Sequence, residues 1–465
     1  MSNYSEACNY ISEIPRFAAK TELANTRILL GALGNPQEKY KSLHVAGTNG
    51  KGSVCRMLSL MLQKAGYKTG LFISPHLIRM NERISINGTD ISDEEFLEEF
   101  NVILETSQGL LSSQEKGQND STSGSFAHPA YFEFLFAMAA DYFAKQGCDF
   151  VVWETGLGGR LDATNTVTPE VSVITSIGMD HMQYLGNTIK EIAGEKAGII
   201  KPGVPVIYNT GNEEADQVIS AKAQELGSRA VRVPDAAAEF PEDIRDIINA
   251  FAAVTPAAYQ RDNAEAAVAA FLELSGSKQA YTENISISAD QLSAGQQDAD
   301  FKTRRELQTI ISASLGAFSW PGRMQFIDEG VVIDGAHNED AAKRFTESIN
   351  ILLQNGQWKK VSLLFAVSSD KDYEDIIRIL CESLPLEDVY VTEINSDRRT
   401  DPAGIVELFQ KYRPAGEYWN NYGSHDLKKT LDRAGSERSA DTLLAAVGSL
   451  YMVGEILNLI GNPDA

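Results

Sequence analysis

The first half of the chain alternates short apolar runs with longer segments of helical periodicity, and this alternation constrains the fold more than any other feature. The runs SLHVAG, KTGLFIS, CDFVVWET and EVSVITSIG have the near-continuous apolar centres of strands buried on both faces. Helical segments such as PAYFEFLFAMAADYFAKQG lie between them. This pattern predicts an α/β fold with a parallel sheet, in which ligands bind beyond the carboxyl ends of the strands.

A second series of strand-like runs follows in the last third of the chain: EGVVIDGAHN, KVSLLFAVSSDKD, DVYVTEI and DTLLAAVGSL. The chain has 465 residues, which is too long for one compact core and predicts two domains. We predict a large α/β domain with a mostly parallel sheet over residues 1–318 and a smaller α/β domain over residues 319–465. Polar stretches predict a mobile loop over residues 108–125 and a linker with a hinge over residues 284–318.

The charge of the chain narrows the range of partners. The net charge is −23 and the isoelectric point is near 4.7, which disfavours binding to nucleic acid or to an anionic membrane surface. An anionic ligand would therefore need a local positive site. The four cysteines show no CxxC spacing, so neither a disulfide framework nor a cysteine zinc site is expected. Without a signal-peptide pattern or an apolar run of about 20 residues, we expect a cytoplasmic monomer that acts on small molecules.

A glycine-rich turn between the first strand and a helix predicted from about Ser53 to Lys64 has the context of a phosphate loop. Glycines let backbone N–H groups close on phosphate oxygens, Lys51 would neutralise the β- and γ-phosphates, and Ser53 could ligate Mg²⁺. The match to GxxxxGK[ST] is imperfect, because Val45 stands at the first glycine position and an extra glycine precedes the serine. The alternative is a tight strand-to-helix connection. The turn comprises Gly47, Thr48, Asn49, Gly50, Lys51, Gly52 and Ser53.

Three more polar residues stand after apolar runs. Glu154 ends a buried strand, where an acid near a phosphate loop is typical of a metal ligand; the alternative is a helix-capping or salt-bridged acid. His181 follows the next strand and is equally compatible with a ligand and with a structural histidine. Lys196 lies on the helix after that. Two Mg²⁺ ions would repel its ammonium, so it fits there only as a counterion to phosphate or after conversion to an anion.

Seven segments between Pro15 and Asn338 form a recognisable set: PRFAAKTELANTRILLGALGNPQ, HVAGTNGKGS, SPHLIRMNERISING, ETGLGGRLDATN, DHMQYLGNTIKEIAGEKAGIIKPG, WPGRMQ and IDGAHN. Together they closely resemble folylpolyglutamate synthase and the bifunctional dihydrofolate synthase/folylpolyglutamate synthase, which are members of the Mur ligase superfamily. The resemblance implies a large P-loop ATPase-type domain with a mostly parallel sheet, followed by a smaller Rossmann-like α/β domain. It also implies an ATP-dependent ligase that joins L-glutamate to a folate. In that family ATP phosphorylates a substrate carboxylate, and the glutamate amine attacks the acyl phosphate.

The resemblance implies two magnesium sites. Ser53 and Glu154 match residues that hold the Mg²⁺ next to ATP. Ser74, Glu154 and His181 match the ligands of a second Mg²⁺ that faces the acyl phosphate. Lys196 falls at the position of a carbamylated lysine whose carbamate aids the second site, which would resolve the charge conflict noted above.

The resemblance also implies nucleotide contacts from further along the chain. Asn263 matches a residue that contacts adenine, and Arg323 and His337 match groups that reach the phosphates and the adenosine. Asp334 matches an acid that we expect to position either the ribose or the hinge. We accordingly expect Arg323 and His337 to face the phosphate loop across a cleft.

The resemblance implies fewer contacts with the folate and the glutamate than with ATP. Phe132 and Asp162 match positions that line the pterin pocket of the bifunctional members. The run NSDRRTDP departs from a more usual asparagine–proline–arginine pattern, so either Arg398 or Arg399 supplies the expected arginine. Whether dihydropteroate is a substrate as well as folylglutamates stays open.

Three alternatives compete with a folate ligase. A nucleotide kinase or P-loop ATPase would use the same turn but does not predict an arginine and a histidine from a second α/β domain. Another amino-acid ligase of the Mur superfamily is a closer rival, and the runs SPHLIRMNERI and ETGLGGRLDATN favour the folate branch. A catalytically inactive protein that only binds folate or nucleotide would not need all four of these residues: Lys51, Glu154, His181 and Lys196.

Overall fold

The computed structural model describes residues 1–15, 23–115, 126–275, 294–417 and 419–461, without the side chains of Glu115 and of residues 294–303. The chain forms two compact units. Unit 1 comprises Met1–Ile177, His181–Phe251 and Asp262–Phe318, and unit 2 comprises Gly178–Asp180, Ala252–Arg261 and Ser319–Ala465. In these described ranges no helix is both long and apolar enough to cross a membrane.

Strands alternate with helices over much of residues 41–232, as the apolar periodicity predicts, and the described residues from 233 to 316 contain four helices in succession. In chain order they are α1 Tyr4–Glu13, α2 Ala24–Ala32, β1 Lys41–Ala46, α3 Lys51–Lys64, β2 Thr69–Phe72, β3 Ile84–Ile86, β4 Thr89–Asp90, α4 Asp93–Glu115, α5 Tyr131–Lys145, β5 Phe150–Glu154, β6 Val171–Ile174, α6 Met182–Leu185, α7 Ile189–Ala197, β7 Val206–Tyr208, α8 Glu213–Glu225, β8 Ala230–Arg232, α9 Val233–Glu239, α10 Glu242–Val254, α11 Gln260–Leu274 and α12 Ala294–Gly316.

The sheet of unit 1 has eight strands in the order β4-β3-β2-β5-β1-β6-β7-β8. Six consecutive strands of this order are parallel to one another: β2, β5, β1, β6, β7 and β8. The strands β3 and β4 add an antiparallel edge next to β2. Val45 of β1 pairs with Glu154 at the end of β5, and Ala46 pairs with Ile174 at the end of β6. The predicted α/β class with a mostly parallel sheet is confirmed, and three central strands end at one common edge.

An aromatic core between the sheet and helix α5 fixes these strand ends. The ring of Trp153 on β5 lies 4.9 Å from Phe136 and 5.6 Å from Phe143, both on α5, and 5.5 Å from Phe72 on β2, between centroids. All four side chains are fully buried. Burial of a side chain of this size contributes about 1.5–3 kcal/mol. The residues that follow Phe72 and Trp153 therefore extend from strand ends that are fixed by packing.

Unit 2 contains a second, separate sheet of six strands in the order β13-β12-β11-β14-β10-β9. Only β9 is antiparallel to its neighbour. All the strand-like runs predicted for this part form strands of this sheet. Its elements are β9 Gln325–Asp328, β10 Val331–Ile333, α13 Glu339–Gln354, β11 Lys360–Phe365, α14 Tyr373–Ser383, β12 Leu386–Val391, α15 Pro402–Lys411, β13 Asn420–Gly423, α16 Leu427–Glu437, β14 Thr442–Val447 and α17 Leu450–Gly461.

Two polar segments differ from the prediction. The loop predicted over residues 108–125 is wrong for 108–115, which complete α4, and residues 116–125 lie outside the described chain. Within the linker or insert predicted over 284–318, residues 294–316 form α12, and 276–293 lie outside the described chain. Helix α12 buries Ile311, Ser314 and Leu315 at helical spacing. A polar composition here belongs to a helix with one buried stripe rather than to a linker.

Candidate active site at the strand ends

The glycine-rich turn joins the carboxyl end of β1 directly to the first turn of α3, which begins at Lys51 rather than at the predicted Ser53. Gly50 caps the helix with φ +86°, in the left-handed region that favours glycine. A Cβ at Gly47 would lie only 1.8 Å from Thr175 Oγ1. Both glycines are therefore required by the backbone. The turn has the strand-to-helix geometry in which a helix N-terminus attracts phosphate.

The segment that follows β6 holds this turn in place. Thr48 N–H donates to the carbonyl of Ser176 at 2.6 Å, and the Thr175 hydroxyl donates to the carbonyl of Asn49 at 2.7 Å. Two successive residues of the turn, Thr48 and Asn49, are therefore bound to the segment after β6 as well as being connected to β1.

Two lysines border the turn. Lys51 Nζ donates to the carbonyl of Thr48 at 3.1 Å. Lys196, from α7, is 3% exposed and donates to the carbonyl of Gly47 at 2.7 Å. They supply a local positive site of the kind that an anionic ligand of this acidic chain needs. The structure thus brings Lys196 to the phosphate loop, and its predicted proximity to His181 stays a prediction.

Glu154 lies beside the turn because β5 pairs with β1. The residue is 4% exposed, and Oε2 accepts a hydrogen bond from the backbone N–H of Ser74 at 3.0 Å. Ser74 follows β2, the other neighbour of β5. The loops after three adjacent strands thus converge.

The oxygen donors of Ser53, Ser74 and Glu154 are hard ligands of the kind that Mg²⁺ prefers, so these residues fit the implied metal. Ser53 is buried in the first turn of α3. His181 stands just before α6 with a left-handed backbone, φ +51°. No group of three or more His, Cys, Asp or Glu side chains is arranged to hold a metal among the described residues. Since the predicted set contains only two such residues, that finding does not test it.

The sequence analysis missed Arg83, which immediately precedes β3. Its side chain is buried, with Nη1 donating to Ser74 Oγ at 3.1 Å and Nε donating to His76 Nδ1 at 2.8 Å. The guanidinium therefore orients the hydroxyl of a predicted metal ligand. The available signal was an arginine directly before the apolar run of a short strand.

The loop after β5 is organised by Asp162. One carboxylate oxygen accepts the N–H groups of Gly156 and Leu157, both at 2.9 Å, and the other accepts the N–H and the hydroxyl of Thr164. Burial raises the pKa of Asp162, and these hydrogen bonds oppose the rise. The ring of Phe132 lies against Gly156, where a Cβ would be 2.7 Å from it. The structure thus brings the two predicted folate residues to one loop.

A buried histidine is attached to the same loop. His44 of β1 is fully buried, with Nε2 2.8 Å from Thr164 Oγ1, and its Nδ1 has no partner among the described residues. Burial, with a smaller contribution from the positive charge of Lys201, lowers the pKa of His44 to about 3. The imidazole is therefore neutral at physiological pH.

This low pKa predicts loss of stability in acid. The unfolded chain binds a proton on His44 below pH 6.5, whereas the folded chain does not until about pH 3, so stability falls as pH falls through this window. From pH 7 to pH 4 the loss attributable to His44 is about 3 kcal/mol. Denaturant unfolding at both pH values should show a loss smaller by that amount in His44→Gln. An equal loss in the two proteins would contradict the prediction.

Asn263, on α11 of unit 1, lies at the phosphate loop. A Cβ at Gly50 would come within 2.4 Å of its Oδ1, and the side chain is buried. The structure thus places this predicted nucleotide residue against the turn, although the two are more than 200 residues apart in sequence.

Within unit 2, Asp334 ties together the backbone on which two predicted residues stand. Its carboxylate accepts the N–H groups of Met324 and Ala336, both at 2.8 Å, and the hydroxyl of Tyr259 at 2.6 Å. Arg323 precedes the first of these donors and His337 follows the second. Asp334 thus acts as a positioning residue for both.

The side chains of Arg323 and His337 lie close to this backbone. Arg323 Nη1 donates to the carbonyl of Gly322 at 3.1 Å, and His337 Nδ1 donates to that of Gly335 at 2.7 Å. Burial, followed by the charge of Lys371, lowers the pKa of His337 to about 4. His337 is therefore a neutral hydrogen-bonding group at pH 7.

The two candidate arginines for glutamate differ in their surroundings. Arg398 Nη1 pairs with Asp370 at 2.9 Å, and Nη2 donates to the Tyr451 hydroxyl at 2.5 Å. The side chain of Arg399 is 60% exposed and lies 3.9 Å from a carboxylate oxygen of Glu393. Arg398 is thus held by two close partners, whereas Arg399 is more exposed and has one longer ion pair.

Comparison with known proteins gives consistent matches over both units. The Mur ligase middle domain family matches residues 45–281, and the dihydrofolate synthetase C-terminal domain family matches residues 325–459. Dihydrofolate synthase/folylpolyglutamate synthase of Bacillus subtilis is 34% identical over 460 residues, which cover 97% of this chain and 98% of the relative.

Two solved structures match over nearly the full length. Escherichia coli FolC in complex with DHPP and ADP has a TM-score of 0.75 and 25% identity, covering 100% of this chain and 99% of its own. The bifunctional folylpolyglutamate synthase/dihydrofolate synthase of Yersinia pestis, complexed with AMPPNP and Mn ion, has a TM-score of 0.72 and 25% identity, covering 99% and 98%.

Proposed function

Because the chain belongs to the folylpolyglutamate and dihydrofolate synthase family of the Mur ligases, we propose that it is an ATP-dependent ligase that adds L-glutamate to a folate. The observation that carries the proposal is the sheet register of unit 1. It sets the phosphate loop, Glu154 and Ser74 at the ends of three adjacent strands. An acid, a hydroxyl and a phosphate loop at one edge suit transfer of a phosphoryl group to a carboxylate.

The reaction needs phosphorylation because a free carboxylate is a poor acyl donor, whose leaving group would be oxide. A carboxylate oxygen of the folate attacks the γ-phosphorus, and the bond between that phosphorus and ADP breaks. The glutamate amine then attacks the acyl carbon, phosphate leaves, and the amine loses a proton to give the amide. Both steps depend on holding the reactants in line and on excluding water, which would hydrolyse the acyl phosphate.

We assign the phosphates of ATP to residues 47–53, with Lys51 neutralising their charge. Ser53 and Glu154 would hold one Mg²⁺, and Ser74, Glu154 and His181 a second. Bound there, Mg²⁺ would screen the repulsion between the anionic carboxylate and the γ-phosphate. The manganese ion of the Yersinia pestis protein supports a divalent-ion requirement. Arg83 would keep the Ser74 hydroxyl aimed in one direction.

We assign Asn263 to the adenine, which its contact with the phosphate loop supports. Arg323 and His337 are assigned to the phosphates and the adenosine, with Asp334 as their positioning residue. Their predicted approach to the phosphate loop rests on the family resemblance. The expectation of a monomer that works in the cytoplasm likewise stays a prediction.

We assign the folate ring to the surface that includes Phe132. Both oxygens of Asp162 are engaged by its own loop, which supports an indirect role for this acid. For glutamate, Arg398 and Arg399 stay alternatives. The fixed orientation of Arg398 favours binding of a carboxylate without loss of side-chain entropy, and the exposure of Arg399 favours access.

We further propose that Lys196 carries CO₂ as a carbamate. The neutral amine adds to CO₂ and releases a proton, which leaves an anionic oxygen in place of an ammonium. Its burial beside the phosphate loop supports this proposal, because a buried amine favours its neutral form.

The ligase assignment predicts ADP release that requires both an acceptor and glutamate. The protein is incubated with MgATP and L-glutamate, with tetrahydrofolate or dihydropteroate as acceptor, and ADP and product mass are measured. We expect a product heavier by one glutamyl residue. Activity with dihydropteroate would add the dihydrofolate synthase reaction.

Other outcomes of the same assay identify the alternatives. ADP release without glutamate would favour a kinase or ATPase. Release with a different amino acid and acceptor would favour another Mur ligase. Nucleotide binding without turnover would indicate a binding protein.

A further inference from the structure

A continuous chain of buried polar groups connects strand β1 to the turn after Glu154. It consists of His44, Thr164 and Asp162, and we call it the His44 chain. His44 Nε2 meets the Thr164 hydroxyl at 2.8 Å, and that hydroxyl meets Asp162 Oδ1. The other oxygen of Asp162 holds the N–H groups of Gly156 and Leu157. The three side chains are buried.

The direction of each hydrogen bond follows from the donors available. Three backbone N–H groups donate to the two oxygens of Asp162, an arrangement that favours an ionised carboxylate, which only accepts. The single hydrogen of the Thr164 hydroxyl therefore points to Asp162. The hydroxyl oxygen must then accept from His44 Nε2–H. This fixes the Nε2–H tautomer of His44 and leaves Nδ1 as a lone pair without a partner among the described residues. The neutral imidazole that the chain requires is also the form that burial favours.

Burying such a chain costs free energy that apolar side chains of the same shape would not cost. The two ends of the His44 chain show which parts of the molecule it connects. His44 stands three residues before Gly47, and the far end fixes the two residues that follow Thr155. The ring of Phe132 lies against the first of these, Gly156.

The phosphate loop is held independently of this chain. Thr175 and Ser176 bind Asn49 and Thr48 of the loop directly. Loss of the His44 chain should therefore disturb the turn at Gly156 while the phosphate loop keeps its own anchors.

We propose that His44 is a positioning residue that acts through Thr164 and Asp162 to fix the Gly156–Leu157 turn, and thereby the part of the folate site built on Phe132. His44 and Thr164 thereby influence the shape of the acceptor site without contacting the acceptor themselves. This inference rests on the proposed ligase function. It separates acceptor binding from nucleotide binding, since each depends on a different set of anchors.

Two substitutions at one position test the chain. Thr164→Val removes the hydroxyl at nearly constant shape, and Thr164→Ser keeps it. We expect Thr164→Val to raise the KM for the folate acceptor about tenfold, the effect of losing one hydrogen bond to a charged group, with the KM for ATP within about twofold of wild type. Thr164→Ser should recover most of the difference. At the other end, His44→Gln offers an amide donor in place of Nε2–H and should impair the acceptor KM less than His44→Leu.

A second readout requires no reaction. In the substrate-free protein, hydrogen exchange of peptides that cover residues 155–162 should be faster in Thr164→Val than in wild type and Thr164→Ser. That result supports the chain whatever the protein catalyses, and wild type without acceptor-dependent ADP release would contradict the ligase function alone. Unchanged exchange in Thr164→Val overturns the proposal. So does an equal rise in both KM values with a lowered melting temperature, which would indicate a purely structural role.

Discussion

Lys51→Ala and Glu154→Gln each lower glutamate-dependent ADP release by about a thousandfold while the protein stays folded. Lys51 supplies the positive charge in the phosphate loop, and groups that stabilise developing charge in a closed site contribute effects of this size. Glu154 supplies the only carboxylate of the predicted metal set. Glutamine keeps an acceptor for the N–H of Ser74, so the substitution removes charge and leaves the local hydrogen bond possible. The measurement is steady-state ADP formation at saturating MgATP, folate and glutamate.

Two matched variants separate these effects from a general loss of charge. Lys64→Ala removes an exposed lysine from the opposite end of the same helix, α3, and Glu170→Gln removes an exposed acid just before β6. Both should keep wild-type turnover. Circular dichroism and thermal melting establish that each protein is folded. Full activity of folded Lys51→Ala or Glu154→Gln would remove the nucleotide assignment.

The main features of the fold could be predicted because apolar periodicity reports burial directly. The run CDFVVWET forms β5, whose five residues are all buried, and the segment PAYFEFLFAMAADYFAKQG contains α5. Since parallel strands present their carboxyl ends at one edge, the sequence also predicted that Glu154 lies near the glycine-rich turn. The pairing of Glu154 with Val45 agrees with that expectation.

Polar segments and short strands were harder to predict. Residues 294–316 form a helix although their composition suggests a linker, because composition averages over both faces and a narrow buried stripe is lost in the average. The strands β9 and β13 contain few fully apolar positions, since each is at an edge of its sheet. Edge strands need less burial and therefore leave a weaker pattern.

The side-chain contacts that position the site residues could not be predicted. His44 and Thr164 are 120 residues apart, and neither is unusual alone. Arg83 and Ser74 are only nine residues apart, but their contact runs from the residue before one strand to the loop after another. Such contacts depend on how helices and strands pack. These contacts position the residues of the site. The sequence therefore predicts candidate ligand-binding residues more readily than the residues that orient them.

The structure refines the argument for a carbamate on Lys196. The carboxylate of the adjacent Glu195 binds Arg160 at 2.8 Å. Lys196 Nζ instead donates to the carbonyl of Gly47. A carbamate nitrogen retains one hydrogen, so it can keep this contact while its oxygens face the reaction. An ammonium would use the same contact and add positive charge, which assists phosphate but opposes a neighbouring divalent ion.

Lys196→Ala therefore lowers ligase turnover at least about a hundredfold, and acetate or formate restores a measurable part of it by supplying the missing carboxylate. Lys196→Arg keeps a cation near Gly47 but cannot form a carbamate, so it should be as inactive as Lys196→Ala. Lys190→Ala, which removes an exposed lysine from the same helix, should behave as wild type with no response to acetate. Turnover is measured with each carboxylate and with chloride at equal ionic strength. Carbamates are also trapped at neutral pH, and the mass of the peptide that contains Lys196 is measured. An unmodified lysine mass, combined with either substantial activity of Lys196→Arg or no rescue of Lys196→Ala, would show that Lys196 acts as an ammonium.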